Sequence, residues 1–284
     1  AGSRAEAGGR AEAGGRAEAG AEGRAGAGGV GAAQSGDCLR DIGGYEKQGP
    51  FTFKAETSGP LKLWVPQLPS GCKVPVVHMA NGTGASCANY RASLERLASH
   101  GFLAVCFENT NTGSGKAGLE AYEITRMAHP ELADAKFGSA GHESGGQGAV
   151  ATLQLAEVKW GDSLTAAGLA FAPSSGNGAL PDWRGAFALV KSPMLIVSGS
   201  ADVLVSEAWV QQSYEALDDS VEAYLWSAVG APHIPVPLNF IDQVSVAWFR
   251  WKLLGDSRAC EYLKALPNGD AWDQRMQQNP KACN

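Results

Sequence analysis

The run Gly141-His142-Glu143-Ser144-Gly145-Gly146-Gln147-Gly148 constrains this chain more than any other. Phe137 to His142 reads as a strand entering it, and Gly146 to Ala156 as a helix leaving it. A sharp strand-to-helix elbow of this kind lifts one side chain above a parallel sheet. The residues two before and two after that side chain must be small, because the backbones crowd there. With Gly141 and Gly145 as those flanks, the raised residue is Glu143, and Ser144 falls one place too late.

A chain of 284 residues is long enough for one large α/β domain with a substantial core. The formal net charge of −6 and the lack of a basic cluster argue against a nucleic-acid partner. No apolar run approaches the length that spans a bilayer. Without an initiator Met or a signal-type apolar region, the sequence reads as a mature or trimmed form.

Residues 1–36 stand apart. Arg10-Ala11-Glu12 recurs as Arg16-Ala17-Glu18 with Gly pairs between. This tail has too few large apolar residues to offset its ordering entropy and is expected to be disordered. Its Ala, Glu and Arg favour a helix, but each Gly costs about 1 kcal/mol relative to Ala. Residues 37–284 are expected to form a single domain.

Strands are expected at 51–55, 61–65, 74–78, 102–107, 137–142, 164–171, 193–198 and 222–226. Helices are expected at 90–99, 146–156, 207–217 and 240–254. Antiparallel strands followed by alternating strand and helix imply an α/β fold, a mixed, mostly parallel sheet wrapped by helices.

Cys106, inside the apolar run Phe102 to Phe107, is expected to be a buried free thiol. Cys260 and Cys283 bracket the C-terminal segment and are expected to pair. Cys38, Cys72 and Cys87 then leave one pair and one single residue, with the choice open. Disulfides imply an oxidising compartment. No metal-ligand spacing is present, and the Gly-rich loops lack the P-loop lysine and the dinucleotide fingerprint, so no cofactor is implied.

Three positions fall just beyond expected strand ends, where a doubly wound sheet places its ligands. They are the elbow, Asp202 in Ser198-Gly199-Ser200-Ala201-Asp202, and His233 in Val229-Gly230-Ala231-Pro232-His233. Taken singly, Asp202 starts a turn, His233 is a loop histidine and the glycines serve packing. Taken together they have the order nucleophile, acid, histidine. His233 would be the general base and acid, and Asp202 would hold its tautomer. Asn81-Gly82-Thr83-Gly84 follows the strand ending at His78. The backbone N–H groups of Thr83 and Ser144 are the candidate oxyanion-hole donors. Asn81-Gly82-Thr83 is also a glycosylation sequon, discounted because a glycan there would block the site. His78 and His100 read as structural and His129 as surface.

Asn81-Gly82-Thr83-Gly84, Leu97-Ala98-Ser99-His100-Gly101-Phe102 and Asn109-Thr110-Asn111-Thr112-Gly113 resemble the cutinase-like, dienelactone-hydrolase-like branch of the α/β-hydrolases. That branch includes polyester hydrolases related to PET-degrading enzymes, and the likeness covers roughly residues 45–284. The resemblance implies an α/β-hydrolase fold with antiparallel N-terminal strands and a secreted carboxylic-ester hydrolase with a Ser-His-Asp triad. It further implies a terminal disulfide, which Cys260 and Cys283 match. Carried over, Asp202 is the acid, His233 the base and Thr83 an oxyanion donor. The partner expected is a small-molecule or polymeric ester, acted on by a monomer.

The family elbow commonly reads Gly-His-Ser-x-Gly-Gly, so its serine falls on Glu143. Three readings stay open. Ser144 attacks after a one-residue shift, which puts His142 where a small residue belongs. Alternatively Glu143 attacks, as carboxylates can, through an anhydride-like intermediate. Or the site is inactive, a hydrolase scaffold serving binding or assembly, with Glu143 ion-paired to His233. Thr83 and the loop Ala172-Pro173-Ser174-Ser175-Gly176-Asn177 offer no aromatic clamp, so a short-chain ester fits better than a polyester. Trp183 and Trp226 are candidates for lining the cleft, with core packing the commoner role for such residues.

Overall fold

The computed structural model describes residues 38–39, 42–108, 112–174, 183–233 and 239–283; the repeat tail and residues 109–111 and 175–177 lie outside them. The described residues form one nine-stranded sheet. The strands are β1 (Phe53–Ser58), β2 (Leu61–Pro66), β3 (Val74–Ala80), β4 (Leu103–Phe107), β5 (Ala133–His142), β6 (Thr165–Phe171), β7 (Met194–Gly199), β8 (Ala223–Ala228) and β9 (Trp272–Gln278). Their spatial order is β1-β2-β4-β3-β5-β6-β7-β8-β9. β3 to β8 run parallel, while β1, β2 and β9 join through antiparallel pairings. The α/β class expected from sequence is therefore observed.

Burial explains which strands the apolar pattern reveals. β3, β4, β7 and β8 are buried along their whole length, because helices cover both faces of the parallel part. α1 (Arg91–Ser99), α6 (Asn239–Leu254) and α7 (Ser257–Ala265) pack on one face, with Leu94, Trp248 and Leu263 in the core there. α2 (Lys116–Ala128), α3 (Ser144–Trp160), α4 (Trp183–Leu189) and α5 (Glu207–Glu215) cover the other, through Tyr122, Leu153, Phe187 and Val210. Alternate residues of one strand serve opposite layers: Val76 joins the second cluster and Val77 the first.

The cysteines are partly corrected. Cys106 is not a free thiol: it pairs with Cys87, tying the turn before α1 to β4. Cys38 pairs with Cys72, and Cys260 with Cys283 as expected. All six are used. Such bonds persist in oxidising surroundings. Among the described residues no helix is long and apolar enough to cross a membrane.

Candidate functional site

β5 ends at His142, α3 begins at Ser144, and Glu143 alone makes the turn with φ 56° and ψ −121°. A non-glycine residue at positive φ is strained, and four backbone bonds hold it. Its N–H donates to Phe171 O, and its carbonyl accepts from Gly146, Gln147 and Ser174. The two glycines are required by contact. A Cβ on Gly141 would stand 1.9 Å from Gly145 O, and one on Gly145 2.2 Å from Ala80 O. The elbow thus raises Glu143, and no local shift brings Ser144 to its tip.

Ser144 faces elsewhere. Its hydroxyl meets Thr83 Oγ1 at 3.0 Å and Thr112 Oγ1 at 3.3 Å. No hydrogen bond joins it to His233 among the described residues.

The Glu143 carboxylate takes a backbone N–H that the sequence reading offered to an oxyanion. Thr83 N–H donates to its Oε2 at 2.6 Å, and Ser174 Oγ donates to its Oε1 at 2.9 Å. Ser144 N–H donates to it as well. Burial pushes this carboxyl up, but the bonds from Ser144, Thr83 and Ser174 outweigh burial and hold it down at about 2. The expected ion pair between Glu143 and His233 is absent among the described residues, because these closer donors hold both carboxylate oxygens.

Asp202 and His233 do meet. His233 Nδ1 lies 2.8 Å from Asp202 Oδ2. The other carboxylate oxygen accepts the N–H groups of Leu204 and Val205, both at 2.8 Å. These bonds leave Asp202 buried with one oxygen free to orient the imidazole. With Nδ1 engaged, Nε2 is the nitrogen available for proton transfer.

Two residues given no site role in the sequence reading, Tyr90 and His142, connect the halves. Gly82 N–H donates to Tyr90 Oη at 3.0 Å, and Tyr90 Oη lies 3.0 Å from His142 Nδ1. His142 Nε2 lies 2.8 Å from His233 O. A carbonyl only accepts, so Nε2 carries the proton, and Nδ1 accepts from tyrosine when the ring is neutral. Burial pushes His142 down, which favours that neutral form. The loop carrying Gly82 and Thr83 and the loop carrying His233 are thereby coupled. Ser174 was also missed, since nothing in its loop announces a carboxylate partner. Comparison with known proteins finds no matching family model and no matching curated protein.

Other expectations sort by burial. Asn81 is buried and donates to Gly82 O and Ala85 O, so it is engaged inside the fold rather than offered to a glycan. His78 and His100 are core residues, both pushed down to about 4, chiefly by burial. His129 is mostly buried and sits beside Glu56 and Glu131. Trp226 packs in the core on β8, away from the elbow; the Trp183 side chain lies outside the described residues. Among those residues no cluster of three His, Cys, Asp or Glu groups could hold a metal ion.

Proposed function

We propose that this chain is an α/β-hydrolase-fold protein of the carboxylic-ester-hydrolase type whose site, as built, binds rather than cleaves. The observation that carries this reading is the 2.6 Å bond from Thr83 N–H to Glu143 Oε2. An acyl-transfer site needs those donors for the oxyanion of its tetrahedral intermediate. Here a permanent anion takes them. Hydrogen bonds to a charged group contribute about 1.5–3 kcal/mol each, so a neutral ester carbonyl does not displace the carboxylate. The same bonds make Glu143 a weak nucleophile and a weak base, because its charge is already satisfied.

The fold reading has independent support. The elbow follows β5, the acid follows β7 and the histidine follows β8, in the chain order of the α/β-hydrolases. The three disulfides support a secreted or otherwise oxidising location. The ligand class follows from the rim. Val203 is 91 % exposed, Leu204 66 % and Val229 53 %. All three lie on the loops that carry Asp202 and His233, which pack together through Ala201 N–H to Ala231 O. Bare apolar side chains beside a polar cleft fit an apolar ligand with one acceptor group.

The test is Glu143→Ser, assayed with p-nitrophenyl butyrate. The substitution empties the oxyanion position and places a hydroxyl on the elbow. Hydrolysis should appear, and the purified wild type should show none that His233→Ala removes. A silent, folded Glu143→Ser protein would count against the reading. The intact Asp202–His233 pair favours one rival, an esterase working through Ser144. Fluorophosphonate labelling of wild type decides it: an adduct on Ser144 establishes the rival.

A further inference from the structure

β1 is one edge of the sheet, and among the described residues no strand lies on its outer side. Lys54 to Ser58 are all exposed. An antiparallel strand alternates the direction of its backbone groups, so the pairing with β2 decides which of them are spare. Thr52 O accepts from Gln67 N–H at 2.8 Å, and Phe53 faces Pro66, which has no N–H to give. Lys54, Glu56 and Ser58 therefore turn their N–H and C=O groups toward β2. Phe53, Ala55 and Thr57 turn theirs outward, where no backbone partner meets them among the described residues.

This edge carries opposite charges two positions apart. Lys54 stands opposite Val65 and Glu56 opposite Leu63, so both side chains project from the same face. Among the described residues Lys54 has no carboxylate partner. Glu56 Oε2 lies 3.4 Å from His129 Nε2, and Glu56 Oε1 has no partner among the same residues.

Antiparallel pairing with β1 of a second copy, centred on Ala55, uses both features. Phe53 faces Thr57 of the second copy and Ala55 faces Ala55, and these pairs exchange N–H···O=C bonds through the groups that β2 leaves spare. Lys54 then faces Glu56 of the second copy in a non-hydrogen-bonded pair, with Cα atoms about 4.5 Å apart. The two-fold axis repeats that contact with the copies exchanged. Opposite charges directly across a ladder stabilise it, and like charges oppose it. The neighbouring registers that keep the same spare groups paired set Lys54 against Lys54, or Glu56 against Glu56. The charge pattern thus favours the register centred on Ala55.

The other edge of the sheet is built differently. The pairing of β9 with β8 shifts between Met276 and Gln274, leaving Arg275 as an extra residue. Such a bulge bends an edge away from further pairing, and Arg275 is already held by Glu207 and Asp273.

We propose that β1 is a homodimer interface, pairing with β1 of a second copy in the antiparallel register centred on Ala55. It replaces the monomer that the family resemblance implied. The strands β2, β4 and β3 separate β1 from β5, so the interface stands whether or not the elbow turns over ester.

The experiment is sedimentation equilibrium of the full-length protein up to about 1 mM, a range in which small interfaces associate. The expected result is a reversible monomer–dimer equilibrium, with amide exchange at Phe53, Ala55 and Thr57 slowing as concentration rises. Ala55→Pro removes an N–H that β2 does not use, a substitution an edge strand tolerates, and should leave a folded monomer. Lys54→Glu sets like charges face to face twice and should weaken the dimer about tenfold. Adding Glu56→Lys to it should restore the dimer. A protein that stays monomeric throughout overturns the interface, and so does a dimer undiminished in folded Ala55→Pro. Failure of the double exchange to recover what Lys54→Glu loses overturns the register.

Discussion

The turn after β5 and the loops after β7 and β8 lie at the C-terminal end of the parallel strands, yet they use their hydrogen bonds differently. At the elbow every donor is taken by a residue of the chain itself: Thr83, Ser144 and Ser174 all serve the Glu143 carboxylate. In the loops after β7 and β8, Asp202 spends one oxygen on backbone N–H groups and aims the other at His233, leaving Nε2 open. One half is closed on itself and the other is poised. The backbone geometry of an elbow and the chemistry at its tip are thus separable. Gly141 and Gly145 enforce the first, and a single side chain determines the second.

The most drastic way to break this contrast is to unload the closed half. Glu143→Ser should raise p-nitrophenyl butyrate hydrolysis at least about 100-fold above wild type, the scale of general-base assistance. His233→Ala in the same background should return it to background.

If backbone crowding sets the elbow, Gly145→Ala should be costly even though it touches no chemistry. Its Cβ would meet Ala80 O at 2.2 Å, and urea unfolding should show a loss of about 3 kcal/mol. An unchanged midpoint would mean the elbow can relax.

The coupling between halves is tested by Tyr90→Phe, which removes the hydroxyl shared by Gly82 N–H and His142 Nδ1. Two buried polar groups lose a partner, so the expected loss is about 2 kcal/mol by the same measurement.

The smallest effect concerns pH. Glu143 is held at about 2, below the usual 4.5. A depressed carboxyl stabilises the fold above its unfolded value and loses that contribution as pH falls through the folded one. The stability difference between wild type and Glu143→Gln should be flat above pH 5 and shrink between pH 4.5 and 2. A gap that persists at pH 2 would show that charge is not what holds the side chain.

The readable parts of the sequence are those where one physical constraint dominates. Doubly buried strands such as β3 and β4 have continuous apolar runs, and the elbow shows itself through glycine spacing. The meeting of Asp202 and His233 was legible because such sheets place their ligands in loops beyond strand ends. β9 was missed because Trp272 is its one fully buried residue and its polar stretch Asp273-Gln274-Arg275 has no apolar alternation. α2 escaped because its buried face, Ala117, Gly118, Ala121, Tyr122 and Thr125, holds a single large apolar residue and so gives no clear period. The Cys87–Cys106 bond depends on where the turn before α1 lands, a tertiary fact. The same holds for the direction of the Glu143 side chain, which rests on donors 60 residues earlier and 31 later in the chain.

The three disulfides are sequential, spanning 34, 19 and 23 residues without nesting. Pulled from its ends, an oxidised molecule would hide those lengths, about 3.5 Å of extension per residue, until a reductant reached them. The long span from Cys106 to Cys260 carries no cross-link, and the elbow, Asp202 and His233 all lie in it. Force would therefore be borne, in the stretch that matters, by packing and hydrogen bonds alone.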